Sequence, residues 1–389
     1  MSRVAAIRNP AFFVVFVVGF SAALATLFES FTKVFSEDLA VYRSAGQAVR
    51  LGSALYDASF GAELPFTYPP FAALVAVPLT LVQWGAAQWL WAFATILVMA
   101  WCIWLSYDRV PVFKKHPAMS LAVAMIVWTA SGPIADHLGW GQVGMMLMAL
   151  CLTDLLARPR WLPQGVLIGV AAAIKLVPGL LLGYFLLLRQ ARPFIAGIAG
   201  FLGATLLAAL LLPTQSRVFF FDVVTSLSDR VAVGNPAVYG NQSVRGAILR
   251  LLPAGWADSA WLIAVVLTIA GAGVAALRAN RVRGGLAAFT IVGLGATLIT
   301  PVAWPHHFVW LIPAVGVLLT PIGRSNRIPA TALLATAFVA VVVLARLPKI
   351  GFEMDTPIVA PMLENSLLLA AIVVIVALAV PGRSRQRSS

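Results

Sequence analysis

Five short stretches carry the residue types that could do chemistry. Asp38, in Ser36-Glu37-Asp38-Leu39-Ala40-Val41-Tyr42, is a carboxylate with only Glu37 as an acidic neighbour. Its bland reading is a solvated acid suiting the positive end of a helix dipole. Lys175, in Ala173-Ile174-Lys175-Leu176-Val177-Pro178-Gly179, lies in an apolar run, and a fixed cation there wants an anion, phosphate being the natural one. Gln142 sits in Gly139-Trp140-Gly141-Gln142-Val143-Gly144, with Asp136 and His137 just ahead, in what also reads as a Gly-rich turn. Asn241, Gln242, Ser243 and Arg245 gather amides, a hydroxyl and a guanidinium between Gly240 and Gly246. Asn241-Gln242-Ser243 is also a glycosylation sequon, which matters only in a eukaryotic secretory setting. His306 and His307 close the run Pro301-Val302-Ala303-Trp304-Pro305-His306-His307. Adjacent residues on a helix point about 100° apart, so one histidine is expected to face a cavity, His307 for choice, and the other to pack. A two-histidine zinc site would need i, i+4 spacing, and no D-x-D triplet offers paired carboxylates, so no metal is expected. Tyr42, Tyr68 and Trp304 supply aromatic faces that suit sugars, and the amides suit hydroxyls.

The elements that must position these groups follow from composition. Of 389 residues, 61% are hydrophobic and 11% charged, against roughly 45–50% and about 25% in soluble domains. A water-soluble globule is excluded. The apolar residues come in long runs with short polar breaks, so the chain reads as an all-α polytopic membrane protein. A net charge of +13 suggests nucleic-acid binding at first sight, but the placement of the charge argues otherwise. Cys102 and Cys151 each lie inside an apolar run and read as small buried hydrophobes.

Basic residues stay in cytoplasmic loops. Short basic connectors occur at Arg109/Lys114/Lys115, Arg158/Arg160, Arg189/Arg192, Arg278/Arg281/Arg283 and Arg324/Arg327, with Arg3, Arg8 and the tail Arg383/Arg385/Arg387 at the ends. These hold 17 of the 27 basic residues, with only Asp108 and Asp154 nearby, so one face carries about +15 and the other about −2. Both termini are therefore expected in the cytoplasm of a plasma (inner) membrane, with nucleic acid excluded as a partner. Ala11 to Phe28 is expected as an uncleaved first span, although Ala23-Leu24-Ala25 resembles a cleavage pattern. Twelve crossings, give or take two, fit the pattern.

One segment is forced into an unusual shape. Residues 162–188 lie between two basic loops and offer about 13 residues per arm, roughly 20 Å against a hydrocarbon core of about 30 Å. A hairpin of two short helices results, broken at Lys175-Leu176-Val177-Pro178, because proline disfavours helix at the residue before it. Broken helices at membrane depth must be buried in protein or line a wet cavity, so Lys175 is expected at the floor of a cavity open to the outer side. Phe71 to Tyr107 reads as one crossing preceded by a re-entrant or short helix. Residues 29–70 form a first outer loop, with Asp38 to Leu51 an interfacial amphipathic helix. Residues 214–258 form a second long outer loop, and 382–389 a disordered tail. The whole of 1–389 reads as one membrane domain.

Read together, Asp38-Leu39-x-Val41-Tyr42, Gly52-x-x-Leu55-Tyr56, Phe66-Thr67-Tyr68-Pro69-Pro70, Gly141-Gln142, Lys175-x-x-Pro178, Gly240-Asn241-Gln242-Ser243 and Trp304-x-His306-His307 resemble the polyprenol-phosphate-mannose-dependent α-1,2-mannosyltransferases. The Asp-Leu-x-Val-Tyr and Phe-Thr-Tyr-Pro-Pro motifs are the specific part. The resemblance implies a GT-C fold and an inverting transfer of mannose from polyprenyl-phosphate-mannose to a glycolipid acceptor of the phosphatidylinositol mannoside type. It maps the family's essential aspartate onto Asp38, as base, and a histidine role onto His306 or His307. Lys175 and Arg245 are expected at the donor phosphate, and Tyr42, Tyr68, Gln142, Asn241, Gln242 and Trp304 at the substrate. No nucleotide, metal or other cofactor is then required. Two other readings stand beside this one: a multi-span transporter of an anionic or lipid-linked solute, which a broken helix and a charge at depth also suit, and a related transferase using another lipid-linked sugar such as arabinose.

Overall fold

The computed structural model describes residues 36–57, 59–60, 64–227, 230, 235–322 and 328–381. The expected first span, Ala11 to Phe28, and the tail 382–389 lie outside the described residues. The described chain is almost wholly helical. The expectation of an all-α fold meets one exception, a two-residue antiparallel ribbon pairing Ser59–Phe60 with Leu64–Pro65.

Among the described residues three helices are long and apolar enough to cross a membrane: Trp84–Tyr107, Ala191–Leu211 and Gly255–Arg283. Two bent pairs raise the number to five if each counts as one span, Pro117–Ala130 with Gly132–Trp140 at 73° and Ala330–Leu344 with Leu347–Glu353 at 59°. Six further apolar helices are only 10–17 residues long. Long apolar runs in the sequence are thus cut into short helices, at Pro178 and Pro305 among other places. Leu262, Ile263, Val266 and Leu267 are each more than 60% exposed on the 254–283 helix. Such a surface is unfavourable in water and suits lipid.

The helix Glu37–Leu51 begins with Glu37 and Asp38 and carries Arg50 in its last turn, the distribution its dipole favours. Gly52 caps it in the left-handed region at φ 67°. Arg43 fixes it sideways by donating to the carbonyls of Leu79 and Val82 at 3.1 and 2.9 Å. Beyond this contact the chain runs through the short helices Pro70–Ala76 and Val77–Leu81 into Trp84–Tyr107, a short element followed by one long helix.

The 162–188 segment is a hairpin: Val166–Ile174, then Lys175 in extended conformation (φ −146°, ψ 130°), then Val177–Leu181 and Leu182–Leu187. The first arm has nine residues, about 14 Å of helix, half of what a crossing needs. Two features hold it. Both carboxylate oxygens of buried Asp154 accept from Gly165 N at 2.9 Å, and Oδ2 also accepts from Ile168 N at 3.2 Å, which satisfies the otherwise open N-terminus of the arm. Gly169 lies so close to the 191–211 helix that a Cβ there would stand 2.0 Å from the Gly197 carbonyl oxygen.

Two outer segments differ in form from the reading above. Of the Gly-rich stretch 139–144, read as a turn, residues 139–140 still belong to the helix Gly132–Trp140 and the turn is confined to Gly141–Val143. The 214–258 loop is built of short helices, including Pro213–Val218 and Val244–Leu251, and its end is already the start of Ala254–Arg283.

Candidate active site

A recess of about 520 Å³ is lined from several elements at once. The first turn of Glu37–Leu51 supplies Asp38, the chain after the ribbon supplies Tyr68, the helix Gly132–Trp140 supplies Asp136 and Trp140, and the hairpin break supplies Lys175. Trp304, His306 and His307 come from the entry to the helical turn Pro305–Trp310.

Asp38 is held from one side. Gln142 Nε2 donates to Asp38 Oδ2 at 2.7 Å, while Gln142 Oε1 accepts from the Tyr42 hydroxyl at 3.4 Å. The hydroxyls of Tyr42 and Tyr68 share a hydrogen bond of 3.0 Å, and their rings meet edge to face at 5.1 Å. The turn that aims Gln142 at Asp38 passes through Gly141 at φ 69°, and a Cβ there would stand 2.6 Å from Leu39 Cβ. Only glycine fits both the backbone conformation and the space.

Burial pushes the Asp38 carboxyl above the usual carboxylate range; positive charge at His306 and Lys175 and the Gln142 hydrogen bond act against that rise, and Asp136 adds to it. Lys175 Nζ lies over the Tyr68 ring, 5.2 Å from its centroid. His306 Nδ1 is 3.1 Å from Asp136 Oδ2, an acceptor that orients the imidazole, and its buried Nε2 has no hydrogen-bond partner among the described residues. The two histidine rings meet at 4.6 Å and 85°. An anchored carboxylate, a ring of cations and imidazoles, and aromatic walls can together remove a hydroxyl proton, receive an anion and stack a sugar.

The glycosyltransferase family 87 model matches residues 66–305. The chain belongs to glycosyltransferase family 87. The matched segment of this family-87 chain contains Tyr68, Asp136, Gln142, Lys175 and Trp304, while Asp38 and the two histidines flank it. A polyprenol-phosphate-mannose-dependent alpha-(1-2)-phosphatidylinositol pentamannoside mannosyltransferase of Mycobacterium tuberculosis (strain CDC 1551 / Oshkosh) is 31% identical over 283 residues, 71% of this chain and 64% of that protein. The protein of the same description from Mycolicibacterium smegmatis is 32% identical over 72% of this chain and 69% of its own length. The chain thus spans just under two thirds of the first of these relatives. Among solved structures, ArnT from Cupriavidus metallidurans bound to undecaprenyl phosphate aligns with 93% of this chain and 75% of its own at a TM-score of 0.45 and 15% identity, too loose a likeness to bear on any residue of the recess.

Several sequence candidates of the family-87 chain stand elsewhere. Tyr42 is buried behind Asp38 and reaches the recess through Gln142 and Tyr68. Asn241 and Gln242 are buried and committed to the backbone. Asn241 donates to the carbonyls of Pro236 and Pro301 and accepts from Ser243 N and Ala303 N; Gln242 donates to the carbonyls of Tyr239 and Glu364 and accepts from Leu367 N. They staple the 235–243 loop to the Pro301 loop, with all their amide hydrogens and both lone pairs of the Asn241 oxygen engaged. Arg245 turns away from the recess, with its guanidinium 4.7 Å from the Trp261 ring and 3.9 Å from Asp258. His306 and His307 both border the recess, where one was expected to pack; they sit in the first turn of Pro305–Trp310 with their rings nearly at right angles.

Residues absent from the sequence candidates also line the recess, Asp136, Trp140 and Arg230 among them. The first two are an i, i+4 pair on one face of Gly132–Trp140, a spacing visible once the segment is read as helix. Arg230 donates to the Tyr56 carbonyl at 3.1 Å and to Ser226 Oγ at 3.3 Å, and no sequence signal set it apart. Among the described residues no group of three or more His, Cys, Asp or Glu side chains is placed to hold a metal ion.

Proposed function

We propose that this chain is an inverting mannosyltransferase. It moves mannose from polyprenyl-phosphate-mannose to a hydroxyl of a mannosylated phosphatidylinositol glycolipid and forms an α-1,2 linkage. The observation that carries the reading is Asp38, oriented by Gln142 in a recess that also holds Lys175, Arg230, His306 and His307. The names of the mycobacterial relatives support the choice of donor and acceptor.

In this reading the acceptor hydroxyl lies within about 3 Å of Asp38, which takes its proton as the hydroxyl oxygen attacks the anomeric carbon. The bond from that carbon to the phosphate oxygen breaks as the new glycosidic bond forms, and the polyprenyl phosphate leaves with the electron pair. Lys175 and Arg230 receive the phosphate charge, with His306 or His307 beside them, a preorganised electrostatic contribution. A single displacement turns a β-linked donor into an α-linked product and needs one base, unlike the paired close carboxylates of retaining hydrolases. Tyr68 and Trp304 stack the sugar. Neither metal nor nucleotide enters the step.

The same proposal takes the chain as a GT-C membrane enzyme with the recess on the outer face of the plasma membrane and both termini in the cytoplasm, as the basic connectors favour. Membranes bearing the full chain, given radiolabelled polyprenyl-phosphate-mannose and phosphatidylinositol mannosides, are expected to yield a product sensitive to an α-1,2-mannosidase. Transfer from a lipid-linked pentose in place of mannose would overturn the donor, and absence of any transfer would overturn the function.

A further inference from the structure

A second cavity, of about 1050 Å³, lies on the lipid-facing side of the helix Ala254–Arg283, where that helix meets Gly285–Ile299 and Ser366–Ala379. Its walls are apolar, with Leu267, Val274, Ile372 and Val376 among them, and one end carries Arg278 and Arg281. These two arginines are exposed, stand three residues apart on one helix face, and make no ion pair among the described residues. The neighbouring Arg283, in contrast, is partly buried and donates Nη1 to the Val317 carbonyl at 3.2 Å. The groove is open at its middle, since a Cβ on Gly271 would meet nothing within 4 Å. From Leu267 to Arg278 the helix rises about 16 Å, the depth of one leaflet of a hydrocarbon core about 30 Å thick.

An apolar trough one leaflet deep, with two uncommitted guanidiniums at the membrane edge, has the chemistry of a lipid with an anionic head. We propose that this groove binds an anionic glycerophospholipid of the leaflet on the arginine-rich side, its phosphate at Arg278 and Arg281 and an acyl chain along Gly271 toward Leu267. The site is separate from the recess and does not depend on the mannosyl-transfer reading.

Native mass spectrometry of the purified full chain in detergent tests it, with dioleoyl phosphatidylglycerol and dioleoyl phosphatidylcholine competing as probes that share acyl chains and differ in charge. Retention of the phosphatidylglycerol in about thirtyfold excess is expected, the order that two arginines at a membrane surface supply. The double variant Arg278→Gln/Arg281→Gln is expected to lose the preference, and Gly271→Leu to reduce retention of both lipids by filling the trough. Equal retention of the two lipids by the unaltered chain would overturn the proposal without recourse to any variant, as would an intact preference in the double variant. Tighter retention of undecaprenyl phosphate than of phosphatidylglycerol would overturn the glycerophospholipid as occupant.

Discussion

Gln142 and Asp38, 104 residues apart, are joined by a 2.7 Å hydrogen bond in which the amide donates to one carboxylate oxygen. The Gln142 oxygen is engaged by the Tyr42 hydroxyl, so the amide cannot flip without losing both partners. One Asp38 oxygen is thus occupied and the orientation of the other is set. A base must present a lone pair within reach of the proton it takes, so Gln142 works as a positioning residue.

Asp38→Asn keeps the shape of the side chain and removes its basicity. Transfer is expected to fall by about 10²–10⁴-fold with the amount of folded protein unchanged, as measured by turnover in membranes normalised to protein. Activity within a factor of about two of the parent would remove the proposed role.

The base must be ionised to act, and burial holds its carboxyl above the ordinary carboxylate range. Activity is therefore present above that raised pKa and is lost as pH falls through it, at a pH higher than a free carboxylate would give. The Gln142 hydrogen bond opposes the rise, so Gln142→Leu is expected to move the acid limb of kcat/KM to still higher pH as well as lowering turnover. An unmoved acid limb would leave Gln142 with a packing role only.

Arg230 and Arg245 separate position from residue type. Arg230→Gln and Lys175→Gln are expected to weaken use of the lipid-linked donor, each by about tenfold or more in kcat/KM. Arg245→Gln, at a residue held against Trp261 and Asp258, is expected to leave donor kinetics within about twofold. Steady-state kinetics in the donor would show the reverse order if Arg245 were the phosphate contact.

Gly141→Ala places a Cβ in a left-handed turn and against Leu39. A loss of about 1–3 kcal/mol is expected, seen as a lower melting temperature in detergent, together with reduced turnover because the helix that bears Asp38 must shift. Gly255→Ala, at a helical position with open space around it, serves as the control.

The parts of this arrangement that were legible in the sequence are those set by one-dimensional patterns. The hairpin at Lys175 followed from charge on both flanks and too few residues to cross, and the helix that bears Asp38 followed from its acids and its apolar spacing. What depends on rotation about a helix or on distant backbone was not legible. Asn241 and Gln242 have the composition of a sugar site, yet the carbonyls of Pro301 and Glu364, more than fifty residues away, consume their amides. Arg245 lies one residue into a helix whose face, decided by packing on Trp261, turns it outward. The pairing of Asp136 with His306 spans 170 residues and leaves no local trace. Among the described residues three to five helices are long and apolar enough to cross, and hydropathy, which registers apolar content, is blind to where proline interrupts a helix.

The arm Val166–Ile174 and its return through Leu187 bring the chain back beside its start, with Gly165 against Pro193. Reporter enzymes fused within 157–163 and at 188–190 should therefore signal the same compartment, although two apolar stretches lie between them. Counting hydrophobic peaks would assign this stretch a pair of traversals, and the parity of the remaining ones is the same with that pair or without it.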